Sequence, residues 1–473
     1  MLKALKPLID NLPEVKNPAK AVALKEKLMW TAAVLIIFFI MGQIYPIGLE
    51  MSRMAGFERL EILLGSRTGT LITTGIGPIV LASIFLQLAV GAKLINLDLS
   101  QQENKKLFQG IQKLLAIALS LLEGFIYSKS IVVATDASTP ALFAANAIMG
   151  FITPLQLAVM FQLTMGSIFL LYLDEIAQKY GIGSGISLFI AAGVSQAVFI
   201  GAFSVATTGT AVAGLIPQAI FELANANVAS AFWALMPIFF TIIVFAITVY
   251  AEGMKIELPL AYGGARGLGA RYPIKFLYVS NIPVILASAV LLNMQVFGLF
   301  LSNAGINTLG TYQNNQPVDG LLYYTTALPS PLLLTGGYPT YISLISTPRE
   351  ILHILVYGIA LVLLCVVFGW FWIESTGMGA SEVAKQLEKT GMQIPGFRQD
   401  PRVTERILQR YIPVITVLGS IFVGLLAWFA DITGALGTGT GILLTVGILY
   451  RFYEDLARQQ VFELYPVLNK FVK

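Results

Sequence analysis

The sequence predicts an all-α polytopic membrane protein, with ten transmembrane helices in two inverted halves of five. Three observations lead there. First, 56% of its 473 residues are hydrophobic and only 12% are charged, with a mean hydropathy of +0.77. A soluble core cannot hide that much apolar surface and still present a wetted exterior. Second, ten apolar stretches of roughly the 20 residues that a bilayer demands lie near 29–45, 75–95, 113–134, 149–173, 184–205, 229–250, 277–301, 350–373, 411–430 and 434–450. Third, two motifs recur. GIGPIVLAS at 75–83 is echoed by NIPVILAS at 281–288, and GIGSGISL at 181–188 by GTGTGILL at 437–444. The offsets of 205 and 256 differ by a loop's worth of residues, as two halves with unequal loops require.

Orientation follows from the basic residues. With the N-terminus inside, 25 of the 30 lysines and arginines fall on inner segments and five on outer ones, so both termini are expected in the cytoplasm. Five spans per half is an odd number, so the second half runs through the membrane the other way. Inverted repeats place their functional pathway at the midplane between the halves, here between spans 2 and 7.

The chain divides into a cytoplasmic N-terminal segment (1–28), a first half (29–206), an external hinge loop (207–228), a second half (229–450) and a cytoplasmic tail (451–473). No cleavable signal peptide is expected, because residues 1–28 hold six lysines and three prolines and lack a compact apolar region. Leu2, Leu5, Leu8, Ile9 and Leu12 have the spacing of an amphipathic segment lying on a membrane; a frayed tail is the equal alternative. The outer loop at 46–74 contains FERLEILLGSRT at 57–68, helical in pattern but too short and charged to span. Either a re-entrant cap over a cavity or a surface helix fits it. The outer loop at 302–349 is too long for a connector. Two cytoplasmic loops are long and basic: 252–276 with Lys255, Arg266, Arg271 and Lys275, and 374–410 with Lys385, Lys389, Arg398, Arg402, Arg406 and Arg410. Ordinary positive-inside charge explains them, and so does docking to a polyanion, whose phosphates such residues neutralise.

Several chemistries lose support. The single cysteine, Cys365, sits in an apolar run and allows neither a disulfide framework nor a cysteine metal site. The one histidine, His353, stands at the outer start of span 8 with no serine or cysteine partner implied, which argues against a hydrolase. The glycine runs at 181 and 437 lack the phosphate-loop lysine, and close helix packing explains them better. Glu123 is the one clear carboxylate within a span; Asp174 and Glu175 are expected at a solvent-reached helix end. An ion-coupled, inverted-repeat secondary transporter of a small solute usually needs more such groups and stays as the alternative.

The quoted stretches, together with GTLITTGIGPIV at 69–80, YLDE at 172–175, KYGIGSG at 179–185, YPIKF at 272–276, SNIPVIL at 280–286 and GALG at 434–437, resemble the SecY family of protein-conducting channel subunits, in its archaeal and eukaryotic branch. The resemblance covers essentially the whole chain. It implies a clamshell around an hourglass pore, hinged between spans 5 and 6, with a lateral gate where spans 2 and 3 meet spans 7 and 8. It implies a pore ring of Ile76, Val80, Ile186, Ile190, Ile285 and Leu444, and a plug at about 57–68 that includes Phe57, Leu60, Ile62, Leu63, Leu64, Gly65, Ser66 and Arg67. Gate positions would be Leu81, Gln87, Glu123, Asn281 and Asn293, with Leu81 where some relatives carry threonine. Ribosome docking would fall to Lys255, Arg266, Arg271, Lys275, Arg398, Arg402 and Arg406, with Arg266 and Arg398 at the loop tips. The family further implies a clamping SecE-type (gamma) subunit, a small beta or SecG-type subunit, the ribosome and its RNA, signal sequences and nascent chains, and membrane lipids as partners. It implies no cofactor, no catalysis and residence in the plasma membrane. With no nucleotide site in the chain, the ribosome or another motor would drive transport.

Overall fold

The computed structural model describes residues 6–20, 22–47, 67, 69–91, 94–95, 102–130, 153–205, 207–208, 211–212, 214–262, 269–279, 282–303, 305–313, 316–328, 331, 337–389, 392–393 and 401–464. In chain order its helices are α1 (Lys6–Asp10), α2 (Leu24–Met41), α3 (Gly77–Gly91), α4 (Gln102–Ser130), α5 (Pro154–Tyr180), α6 (Gly185–Phe203), α7 (Leu215–Ala224), α8 (Val228–Gly253), α9 (Ile282–Asn303), α10 (Leu321–Thr325), α11 (Gly337–Ile345), α12 (Pro348–Thr376), α13 (Ala380–Lys389), α14 (Pro401–Ile432) and α15 (Gly439–Leu464). The short strands are β1 (Thr207–Thr208), β2 (Ala211–Val212), β3 (Lys255–Tyr262), β4 (Gly269–Lys275), β5 (Tyr312–Gln313), β6 (Gln316–Pro317) and β7 (Met392–Gln393).

Helices α2, α3, α4, α5, α6, α8, α9, α12, α14 and α15 stand at the ten expected spans. Among the described residues, seven of these are long and apolar enough by themselves to cross a membrane. Of the other three, α2 opens with Lys25, Glu26 and Lys27, α3 is short, and α15 turns charged after Tyr450. Local chemistry sets many of the helix ends. Thr153 and Gln156 form a reciprocal capping box ahead of Pro154. Thr347 caps α12 ahead of Pro348, and α12 stops at Gly377, in the left-handed conformation that favours glycine. In the repeated motif, Pro78 and Pro283 both occupy the second residue of their helix, where a missing N–H costs nothing.

Several helices outrun their apolar stretch, three of them by ten residues or more. Helix α4 starts at Gln102 rather than near 113, α14 starts at Pro401 rather than near 411, and α15 continues to Leu464 rather than ending near 450. Hydropathy registers only the part of a helix that needs lipid, whereas backbone hydrogen bonding carries it on into water as an amphipathic rod. Arg402 and Arg406 therefore ride on the first turns of α14, not on a loop.

Within the first half α5 packs on α4 and α2, and α4 on α3; within the second, α12 packs on α14 and α9, and α15 on α8 and α14. A single apolar cluster runs through both halves, taking in Phe38, Ile76, Phe189, Val284, Leu361, Val423 and Leu444. The outward faces are equally apolar, as Phe232, Phe239, Ile242 and Phe245 on α8 illustrate, all exposed. Only lipid makes such an exterior favourable.

The connections carry structure of their own. Residues 13–16 are not a frayed tail. The Lys113 ammonium donates to Pro13 O (2.7 Å) and Glu175 (2.9 Å), and Tyr180 OH donates to Lys16 O (2.8 Å). Lys179 binds Glu14 at 2.9 Å, and its hydrogen bond and charge hold that carboxyl below the usual range. Between α6 and α8 the chain forms the β1–β2 hairpin and α7, whose Leu215 packs with Ala202 and Leu436. The basic segments expected as separate loops combine: β3 pairs with β4 and with β7, and α13 packs Val383, Ala384 and Leu387 against Ile274, Leu408 and Ile412. This second apolar core makes one platform of them.

The two glycine runs do more than pack. Gly183 (φ +72°) and Gly437 (φ +78°) adopt the left-handed conformation at the turns that start α6 and α15. A Cβ on Gly183 would approach Phe452 of α15 to 2.5 Å, and one on Gly437 would approach Val198 of α6 to 2.8 Å. Each turn thus abuts the fifth span of the opposite half. Gly183→Ala is expected to lower the thermal unfolding midpoint, because left-handed strain alone costs roughly 1–2 kcal/mol. Gly253→Ala, with nothing within 4 Å of its Cβ, is expected to leave the midpoint unlowered. Equal midpoints for the two variants would refute this account.

Candidate pore ring and lateral gate

The six ring positions come from four helices and both halves. Ile76 precedes α3 by one residue and Val80 follows a turn later; Ile186 and Ile190 open α6; Ile285 opens α9; Leu444 lies early in α15. Ile76, Ile190 and Leu444 are buried, and Val80, Ile186 and Ile285 are partly buried against the same apolar cluster. The structure therefore brings all six into one contiguous apolar body.

A hydrogen-bonded turn sets Ile76. Thr70 and Thr73 fold back on Arg67 and Thr70 carbonyls (2.6 and 2.5 Å), and Arg67 N–H donates to Ile72 O (3.2 Å). Thr70, Thr73 and Thr74 are all buried. Thr74 exchanges a hydrogen bond with Ser167 of α5, and Gly166 beside it has no Cβ to collide with Leu71. Of the candidate plug residues only Arg67 is described; Phe57, Leu60, Ile62, Leu63, Leu64, Gly65 and Ser66 lie outside the described residues.

The halves meet where α3 touches α12 and α9, and where α4 touches α9. Phe125 of α4 and Phe300 of α9 bring their rings to 6.4 Å across that seam. Leu81 is buried. Among the described residues, two polar gate candidates bond along their own helices: Gln87 donates to Ser83 (3.0 Å), and Asn293 to Ala289 O (2.7 Å). Glu123 is buried, and its Oε1 meets no donor among the described residues. Asn281 lies outside the described residues. An apolar seam parts without breaking directed bonds, so its opening is governed by the contact it loses.

On the platform, β3 and β7 pair antiparallel at Tyr262–Met392 and Ala261–Gln393, which joins the two basic segments through their described strands. Both tip arginines, and the Arg271 side chain, lie outside the described residues. Lys255 is exposed beside Glu257 (3.0 Å), and Arg402 and Arg406 are exposed on α14. Lys275 differs from the expectation of a free docking cation: it binds both Glu454 oxygens (2.8 and 3.0 Å) and lies over the Tyr450 ring, tying the platform to α15. Sequence spacing cannot reveal this partner, which stands 179 residues away.

One other expectation is corrected. Asp174 is not at a wetted end but buried, since α5 continues to Tyr180 and the start of α6 folds over it. His353 is buried, and its partners are Glu350 of its own helix (3.1 Å) and Thr326 O (2.8 Å), the latter tying α12 to the segment after α10.

The architecture has counterparts. Residues 70–453 match the sequence model of the SecY family. The chain belongs to the SecY family. It is similar to the protein translocase subunit SecY of Methanococcus vannielii, with 45% identity over 470 residues that cover 99% of each chain. Its fold is similar to "The structure of a protein conducting channel" with a TM-score of 0.81 at 44% identity, 98% of each chain covered. It matches the channel in a canine ribosome-channel complex from the endoplasmic reticulum with a TM-score of 0.79 at 44% identity and 98% coverage of each. The SecY clamshell of ten spans in two inverted halves is thus the fold of this chain. The matches are protein-conducting channels, and the small-solute transporter alternative is set aside.

Proposed function

We propose that the chain is the central pore subunit of a protein translocation channel, passing secretory polypeptides across the membrane and releasing transmembrane segments sideways into lipid. The observation that carries this reading is the convergence of six aliphatic side chains from both halves on one apolar cluster beside the α3–α9 seam. An apolar constriction dewets and so blocks ions and water, while aliphatic side chains part and close again on a polypeptide of any sequence. Sideways release is partition: each leucine in a segment gains about 0.3–0.6 kcal/mol in lipid, and one central charge costs about 2.5–3.5 kcal/mol. A seam whose described polar residues Gln87 and Asn293 bond along their own helices lets that difference sort the chain.

In this reading residues 57–68 plug the resting pore and 207–228 form the hinge. The platform docks ribosomes through Lys255, Arg266, Arg271, Arg398, Arg402 and Arg406. The likeness to a channel from a ribosome complex supports the ribosome as partner. A SecE-type clamp, a small beta or SecG-type subunit and signal sequences complete the assembly, in the plasma membrane with both termini cytoplasmic. Transport then needs no catalytic group or cofactor in this chain.

Photocrosslinking tests the reading. A probe at Ile285, in proteoliposomes holding a ribosome-bound chain arrested after its signal sequence, is expected to give an adduct that disappears when the signal is inactivated. Absence of the adduct in correctly assembled channels, with saturable uptake of a small solute, would overturn it.

A further inference from the structure

The fifth helix of each half, α6 and α15, begins against a buried aspartate from the helix before it. In the first half Asp174 Oδ1 accepts the Ser184 hydroxyl (3.1 Å) and the backbone N–H of Ile186 (3.0 Å), while Oδ2 accepts Gln178 Nε2 (2.8 Å). In the second half Asp431 Oδ1 accepts the backbone N–H of Gly439 (2.9 Å), and Oδ2 accepts the Tyr357 hydroxyl (2.8 Å). Both are more than nine-tenths buried, at 7% and 3% exposure. Their separation of 257 residues is within one of the 256 that relates the glycine runs beside them. The two halves being inverted, one carboxylate stands toward each face of the membrane.

We propose that Asp174 and Asp431 are a two-fold-related pair of positioning residues that set the resting seal, an inference that rests on the ring reading above. A carboxylate at a helix start occupies N–H groups that the helix cannot satisfy and complements its dipole, so it fixes where the helix begins and how it is rotated. In the first half the captured amide belongs to Ile186, itself a ring residue, with Ile190 one turn on. In the second, Leu444 follows Gly439 by about one and a half turns. Tyr357 extends the second anchor to α12, which lines the seam against α3. Asp174 meets the ring residue Ile186 at its backbone N–H and Asp431 meets that of Gly439, so each acts through the helix whose start it caps. Away from water, no solvent replaces a lost cap.

Ion flux through the resting channel, purified as the complex it forms in its own membrane and reconstituted into vesicles, tests the pair. Asp174→Ala and Asp431→Ala are each expected to raise the leak about tenfold, the population shift that loss of a helix cap of ordinary strength produces. Asp174→Asn and Asp431→Asn, which keep an acceptor oxygen but lose the charge, are expected to leak less than the alanine variants and more than the unaltered channel. They also carry the test if the alanine variants do not assemble. Leu163→Ala empties a buried site of α5 in a cluster separate from the ring and serves as the stability control, destabilising without leak. Ile190→Asn reports on the ring itself. A tight Ile190→Asn channel would remove the ring reading and this inference with it. A leaky Ile190→Asn channel beside tight aspartate variants, or leak in Leu163→Ala equal to theirs, would overturn the pair alone.

Discussion

Channels carrying Ile190→Asn or Ile285→Asn are expected to leak ions at rest and to accept weaker signal sequences than the unaltered channel. Ile190 is 2% exposed within the cluster that joins the halves, and Ile285 is packed against it. An asparagine amide there has two donors and an acceptor to satisfy, and a buried unsatisfied polar group costs about 1–3 kcal/mol. That penalty falls on the closed ring, because the open ring offers water. A shift of this size moves the closed-to-open ratio by roughly one to two decades. Discrimination loosens for the same reason: in the proposed function a signal sequence would open the seam by binding the open state better, and less binding energy is required once the closed state is weaker. Ion flux in vesicles and export of a marker behind a defective signal measure the two effects. An ion-tight Ile190→Asn channel with unchanged discrimination would count decisively against the ring.

Reversing charge at Arg266 and Arg398 together is expected to weaken ribosome binding and flatten its dependence on salt. Lysine and arginine bind nucleic-acid phosphates by releasing counterions, so affinity falls steeply as salt rises. Each phosphate contact removed lowers the slope of log K against log salt by about one, hence about two for the pair. The pairing of β3 with β7 joins the two basic segments in one platform, and the double variant tests whether both contribute to docking. Lys275→Ala is the informative comparison: its ammonium is held by Glu454, so the slope is expected to stay as it was. Binding of the double variant with unaltered affinity and slope at moderate salt would remove these residues from the docking surface.

Much of this was legible because a bilayer imposes it. The ten spans could be read from apolar runs, and the inversion from an odd number of spans per half with the repeated prolines at 78 and 283. The ring positions were different. As residues, Ile76, Ile190 and Leu444 are indistinguishable from core packing, and only resemblance to a family singled them out. The polar gate positions carried over less well: Gln87 and Asn293 bond along their own helices. The basic loops were visible as charge but not as a platform. The strands are short, and their pairing joins residues more than a hundred apart, which local spacing does not encode.

Asp174 shows the limit most clearly. Its position six residues before Tyr180 reads as a wetted helix end, since a charged residue near the close of an apolar run usually meets water. Burial instead follows from the turn at Gly183, which folds α6 back over it. The amino-acid sequence by itself determined the membrane class, the number of spans and their inversion, because the absence of water in lipid leaves the chain few alternatives. Only the tertiary structure decided which side chains close on one another. That Lys275 turns to Glu454, that Asp174 and Asp431 hold the starts of α6 and α15, and that six aliphatic residues share one apolar body all depend on contacts between segments distant in the chain, and such contacts are settled by packing rather than by local pattern.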